Sequence, residues 1–211
     1  ARVIDNNDPE GWGRVRVQFI WQEKYQAKTP WIRVVQPHAG GGKGFYFIPE
    51  IGEEVLVDFE GGNAERPFVL GAHYNGEAKS GYSPTTKAIH TQSGTKILLN
   101  DADGSVRIED PSGNIYAMDG KGNIKVQAPK NITFVAGENI SLRATASIDI
   151  DAGVDISETA GAMLNKNAIG DYSLTAANIT EIALGERKSK SKQLNENASA
   201  KETSVTENTQ W

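Results

Sequence analysis

The sequence contains no cysteine, so neither disulfide bonds nor thiolate metal ligands hold the protein together. Its apolar runs are short, such as Phe45–Ile48, whereas a membrane-spanning helix needs about 20 apolar residues. Basic residues are not in excess, and the net charge of −5 argues against a protein that neutralises several nucleic-acid phosphates. A signal-peptide pattern and an initiating Met are both absent. We interpret the chain as a piece of a longer protein.

The first part of the chain consists of short β-type runs separated by Gly, Pro and Asn, which predicts a small barrel or sandwich over 1–76. No window has a helical period. The expected strands are Gly13–Ile20, Trp31–Val35, Phe45–Ile48, Glu54–Phe59 and Pro67–Gly71. A passage rich in Gly, Ser, Pro and Thr, 77–95, is predicted to be a connector. Short strands with tight turns then follow at Ile97–Leu99, Val106–Ile108 and Ile115–Ala117.

From Ile124 onward the sequence repeats every eight residues. Apolar residues occupy the first, third and fifth positions of each octad, which we call the first, second and third columns. The positions between them are mostly polar, so each octad is predicted to be a short strand and a turn with one buried face. The predicted core residues are Ile124, Val126, Ala128, Ile132, Phe134, Ala136, Ile140, Leu142, Ala144, Ile148, Ile150, Ala152, Ile156, Ala160, Leu164, Ala168, Tyr172, Leu174 and Ala176.

A single chain does not enclose such a stripe. A strand that turns at every eighth residue leaves its apolar face and both backbone edges open unless other copies cover them. Three identical chains around one axis would close the core, with each chain supplying one face per layer. The sequence therefore predicts an all-β homotrimer with an intertwined triple-stranded β-helix over 96–185.

The second column departs from this pattern at Glu158 and Lys166, which are one octad apart. If both side chains point inward, they form a buried ionic ring that sets register rather than adding stability. The alternative, a local bulge that turns both side chains to solvent, is favoured at the level of sequence.

No motif predicts catalysis, a cofactor or a metal. The glycine-rich run Gly40–Gly44 lacks the Ser or Thr and the helix of a phosphate-binding loop. Asp101–Gly104 is half of a calcium-loop pattern and is interpreted as a hairpin turn. The histidines His38, His73 and His90 have no second ligand at metal-binding spacing. We therefore expect the protein not to be an enzyme.

Several barrel motifs, taken in order, resemble the VgrG spike proteins of type VI secretion, which are similar to the cell-puncturing spikes of contractile phage tails. These motifs are Asp5–Pro9, Gly13–Val17, Trp31–Val34, Phe47–Pro49, Gly52–Phe59 and Arg66–Gly71, and the entry into the repeats carries Ser93–Ile97 and Gly113–Ile115. The resemblance implies that the barrel is an OB-like fold joining a hub domain to a β-helix. The hub would precede Ala1.

The resemblance further implies a structural spike that caps a tube of Hcp-like rings and meets a baseplate through its hub. It would carry a PAAR-like tip protein or an effector at its C-terminal end. It would be assembled in the bacterial cytoplasm, then secreted or driven through a target envelope, with transient contact with the target membrane. The polar tail, 186–211, is expected either to extend the stalk or to be ordered by a bound partner.

Two other functions remain open. The spike could belong to an extracellular contractile injection system or to a phage. A nucleic-acid-binding OB module with an appended stalk is suggested by Trp12, Trp21, Trp31 and Phe45 in a small barrel. The acidic net charge argues against the second alternative, so no nucleic-acid partner is expected.

Overall fold

The computed structural model describes residues 1–193. Its residues separate into two units, Ala1–Ile140 and a unit that begins at Ser141. Within 1–193, no helix has the length and apolar character needed to cross a bilayer. The described chain is almost entirely extended, as the alternating patterns in the sequence predict.

The elements follow one another along the first unit. They are β1 (Arg2–Asp5), β2 (Arg16–Gln18), α1 (Ile20–Glu23), β3 (Arg33–Val34), β4 (Ala39–Gly40), β5 (Lys43–Gly44), β6 (Val55–Phe59), a 3-10 turn (Glu60–Gly62), β7 (Pro67–Ala72), β8 (Thr86–His90), β9 (Lys96–Asn100), β10 (Ser105–Glu109), β11 (Ile115–Met118) and β12 (Ile124–Gln127). Strands β1, β2, β3, β6 and β7 form a barrel, and β8 to β12 form a separate sheet.

The barrel closes into a ring with the order β1, β2, β3, β7, β6 and back to β1. Strand β1 pairs antiparallel with β2, β6 pairs antiparallel with β7, and β3 pairs parallel with β7. Two single bridges complete the circuit, one from Val15 to Ile32 and one from Arg2 to Glu54. Five short strands that close in this way make an OB-type barrel.

Small β-branched side chains fill the barrel. Val15 and Val17 alternate on one strand and meet Val55 and Val69 from the facing strands, all almost completely buried. Phe19 and Ile32 complete the cluster with Val3. A core built mainly from valine is narrow, which suits a barrel of very short strands.

Two sequence predictions in the barrel are wrong. Phe45–Ile48 is not a strand: the only strand pair nearby joins β4 to β5, and Phe45, Tyr46 and Phe47 are more than half exposed. A short continuous apolar run fits several structures, so its composition did not decide the outcome. The fifth barrel strand is instead β1, which the sequence did not predict.

The helical turn α1 was also not expected, and the Gln22 Oε1 atom stabilises it by accepting a hydrogen bond from Phe19 N at 3.1 Å.

An ion pair fixes the loop between β1 and β2. The Asp8 carboxylate accepts two hydrogen bonds from the Arg14 guanidinium, at 2.8 Å from Nη2 and 2.9 Å from Nε, and one from Trp12 N at 3.0 Å. Its side chain is only 3% exposed. The bidentate contact with Arg14 holds the pKa of Asp8 far below its ordinary value.

Strands β8 to β12 form an antiparallel meander in which each strand pairs with the next. The sequence predicted β9, β10 and β11, but β8 lies within 77–95, where a connector was expected.

Two of the meander's turns are alike. Asp110 and Asp119 each accept backbone hydrogen bonds from the residues two and four positions later, with the second at 3.0 Å from Asn114 N and 3.1 Å from Asn123 N. The glycine before each asparagine has a φ near +95° (94° and 97°), a conformation that other residues adopt only with strain. These turns are therefore specified by local residues.

Beyond β12 the described chain, 128–193, contains no strand. Bends recur at 129–130, 137–138, 145–146, 153–154, 161–162 and 169–170, one for each octad. The eight-residue period of the sequence is therefore present in the backbone, while the octads of 128–193 do not pair as strands within the described residues.

The barrel core provides a first test of the fold. We expect Val69→Ala, at a side chain that is 0% exposed, to lower the free energy of unfolding of the barrel by about 2 kcal/mol, because it removes buried carbons and leaves a cavity. The neighbouring Leu70 is 43% exposed and serves as the control. Leu70→Ala is expected to change stability by less than about 0.5 kcal/mol. Urea denaturation followed by Trp fluorescence measures both, and equal effects would contradict this description of the core.

The Asp8–Arg14 pair predicts a pH dependence. Because the pKa of Asp8 is lowered in the folded state, its stabilisation is complete above the unfolded-state pKa of about 3.9 and is lost as the pH falls below it. Thermal unfolding of Asp8→Asn between about pH 6 and about pH 2 should show a smaller loss on acidification than the parent. An equal loss of stability on acidification in Asp8→Asn and in the parent would contradict the assigned role of the pair.

Candidate functional site

The meander has one apolar face. Two cross-strand rows of side chains lie on it, and their members alternate with the residues of the opposite face. The first row is Ile89, Ile97, Ile108, Tyr116 and Val126; the second is Lys87, Leu99, Val106, Met118 and Ile124. We call these ten residues the apolar sheet face. Nine of the ten have no charge, so this face has the composition of a core.

The opposite face of the meander carries a charged cluster beside the apolar residues Ala88, Leu98, Ile115 and Ala117. Glu109 accepts hydrogen bonds from Lys96 Nζ at 3.0 Å and from Arg107 Nε at 2.6 Å. These two cations lower the pKa of Glu109, with Lys96 making the larger contribution. This face therefore carries paired charges, as a solvated surface does.

Nothing in the first unit covers the apolar sheet face. Ile89, Leu99 and Ile108 are 43%, 45% and 43% exposed, and no residue of β8 to β12 is buried. Exposed apolar surface of this extent marks a site of protein association.

The octad columns begin on this face. Ile124 and Val126, the first members of the first and second columns, are also the end members of its two rows. The apolar sheet face and the octad columns thus follow one another along the chain as one pattern. The sequence found the columns from Ile124 onward but missed the face before it, although alternation such as Ile97 with Leu99 and Val106 with Ile108 was a usable signal.

The predicted core residues are not buried within the chain. Apart from Ala128, which is partly buried, all of them from Ile124 to Ala176 are exposed. In the first column, for example, Ile132 is 49% exposed and Ile148 is 52% exposed. The structure does not bring the columns together into a core by itself, as expected if other copies must supply the remaining walls.

Glu158 and Lys166 contact each other. Lys166 Nζ lies 2.7 Å from Glu158 Oε2, and both side chains are about half exposed. The hydrogen bond that Lys166 donates to this carboxylate raises the pKa of Lys166. The pair spans one octad, so it joins two consecutive layers of the repeat.

Chemistry-bearing clusters are lacking in the part of the chain that the structure describes. Within 1–193, no three His, Asp or Glu side chains are grouped to hold a metal ion. Asp101–Gly104 forms the turn between β9 and β10, as the sequence predicted. The tryptophans of the barrel have partners: the Arg14 and Arg16 guanidinium carbons lie 4.5 Å and 4.7 Å from the ring centres of Trp12 and Trp31, and Trp21 stacks on Phe19.

Comparison with known proteins gives the barrel a family. Residues 1–74 match the type VI secretion system/phage-baseplate injector OB domain. This stretch ends just after β7, the last strand of the barrel. The barrel that the structure describes is therefore the domain that the family defines.

Curated relatives extend the similarity beyond the barrel. The chain is 40% identical over 103 residues to the type VI secretion system spike protein VgrG1c of Pseudomonas aeruginosa, covering 46% of this chain and 14% of the relative. It is 35% identical over 102 residues to VgrG2a of the same organism, covering 47% of this chain and 12% of that spike protein.

A third relative carries a different name. The chain is 30% identical over 102 residues to the actin cross-linking toxin VgrG1 of Vibrio cholerae serotype O1, covering 46% of this chain and 9% of the toxin. The chain thus spans less than a fifth of the length of these curated relatives. The resemblance to VgrG spike proteins predicted from the barrel motifs is confirmed, and residues 1–74 match the injector OB domain of type VI secretion systems and phage baseplates.

Proposed function

We propose that this chain is the barrel and shaft of a trimeric spike that punctures the target envelope in a type VI secretion system. The observation that carries the proposal is the apolar pattern that starts on the meander and continues through the octads, most of it exposed within the described residues 1–193. The similarity to proteins named as spikes supports the proposal independently.

The occupant of the apolar surface is two further copies of the same chain. The octads of 128–193 need both backbone hydrogen bonds and apolar contacts to form strands, and the same octads of other copies supply both in the same layer. Each chain contributes one octad to each layer, and the three octads of a layer enclose a core with three walls. The result is an intertwined triple-stranded β-helix over 96–185, preceded by the barrel over 1–76 and a joining segment over 77–95.

A shaft of this kind works mechanically. Its backbone hydrogen bonds run between chains and leave no free edges, so an axial load is shared among many bonds. This role needs no catalytic group, and the proposed spike is not an enzyme. The opposite face of the meander, with Glu109 held by Lys96 and Arg107, would form the outer surface.

The remaining partners follow from the role. An N-terminal hub would connect the barrel to a baseplate and a tube of Hcp-like rings, and the far end would carry a PAAR-like tip protein or an effector. Assembly would take place in the bacterial cytoplasm, followed by secretion or delivery through a target membrane. Of the tail over 186–211, residues 194–211 lie outside the described part of the chain, so its role in loading a tip or extending the shaft stays a prediction.

The family description also names phage baseplates, so a spike of a phage or of another contractile injection system is the second candidate. Both candidates need the same trimer. The nucleic-acid alternative is less well supported, because Trp12 and Trp31 are each covered on one ring face by an arginine and the net charge is −5.

The trimer is tested by a matched pair of substitutions. We expect the chain to be a trimer in light scattering and to resist dissociation by detergent, and Ile148→Asn to abolish the trimer, because it places an amide without a partner in each of three core positions. Asp149→Asn, at the next residue on the opposite face of the strand, should leave the trimer intact. A monomeric parent chain would refute the proposed assembly, and equal behaviour of both variants would refute the assigned faces.

A further inference from the structure

The second octad column changes character in two consecutive layers. Its members, in order, are Val126, Phe134, Leu142, Ile150, Glu158, Lys166, Leu174 and Ile182. The first and third columns stay apolar through the same layers, with Ile156 and Leu164 in the first and Ala160 and Ala168 in the third. Two charged residues therefore replace apolar ones in an otherwise uninterrupted pattern.

The backbone shows no irregularity at this place. Bends at 153–154, 161–162 and 169–170 keep the eight-residue interval on both sides of the charged residues. With the interval kept at eight residues, Glu158 and Lys166 stay at the third position of their octads, which is the position of the second column. The experiment below distinguishes an inward pair from the local bulge that would turn both side chains to solvent.

The two side chains are arranged as a pair. Lys166 Nζ lies 2.7 Å from Glu158 Oε2, and the side chains are 52% and 45% exposed, respectively. Ile150 and Leu174, the apolar members of the same column on either side, are also exposed within the single chain. The charged pair thus shares its exposure in the single chain with the apolar residues that the proposed trimer encloses.

We infer that Glu158 and Lys166 form a charged recognition site inside the interface between copies of this chain, and that its partner is the same charged pair on the neighbouring copies. The inference rests on the proposed trimer and deepens it. Rotational symmetry places the three Glu158 carboxylates in one layer and the three Lys166 ammonium groups in the next. The resulting six charges sum to zero.

This arrangement is stable only when the six charges of the three chains sum to zero. Like charges within a layer repel one another, and the oppositely charged layer beside them offsets that repulsion. An enclosed charge without its partner is strongly destabilising, whereas an exposed pair contributes little. The site therefore discriminates between chains by charge and by register, since a shift of one octad would place Glu158 beside an apolar layer.

Charge reversal in the full chain tests the inference. We expect Glu158→Lys alone and Lys166→Glu alone each to lose the trimer peak in light scattering, because each puts six like charges into the interface. The double variant Glu158→Lys with Lys166→Glu should form a trimer on its own, because the charges still balance.

Reversals on the opposite face are the controls. Asp149→Lys and Arg143→Glu lie between the columns and should leave the trimer unchanged. If the parent is a trimer and the single reversals at Glu158 and Lys166 also leave it unchanged, the pair faces solvent and this inference is wrong, while the proposed function stands. Failure of the double variant to form a trimer would likewise overturn the inference. A monomeric parent would overturn the proposed function itself.

Discussion

Covering one apolar face of an extended chain is the constraint on which this protein depends. In the barrel the constraint is met within the chain, because five strands close into a ring around a cluster of valines. In the meander it is half met: the strands pair, but the face that carries Ile97 and Ile108 stays uncovered. In the octads of 128–193 no strand pairs form within the described residues, and the columns stay exposed. The need for other copies thus increases from the N-terminal end of the described chain onward.

Alternation of apolar and polar residues was the most informative signal in the sequence. Val15 with Val17 and Val55 with Val57 identified two barrel strands, and the octad columns appear in the structure as bends at a constant interval. Continuous apolar runs were a poor guide, since Phe45–Ile48 has the composition of a strand but is not one. Strand β1 is too short and too polar at its ends for its own sequence to identify it. Its place follows from backbone bonds with distant residues, such as Val3 N with Glu53 O.

The candidate site was only partly accessible from the sequence for a related reason. Periodic columns identify which residues share a face, so the members from Ile124 onward were found. The rows of the meander depend on cross-strand register, which is fixed by turns and pairing rather than by any one segment. The relation of Glu158 to Lys166 was likewise undecided, because the choice between a bulge and a regular strand is made by the backbone.

The paired turns at Asp110 and Asp119 bear on how the spike is assembled in time. Hydrogen bonds between residues two to four positions apart, together with hairpins between consecutive strands, give the meander a low contact order, so it forms rapidly within each newly made polypeptide. In the proposed trimer, winding of the repeats would bring separate molecules together, so its rate would depend on their concentration. The meander would already be formed in each chain at that point, and the proposed shaft would grow from it in one direction.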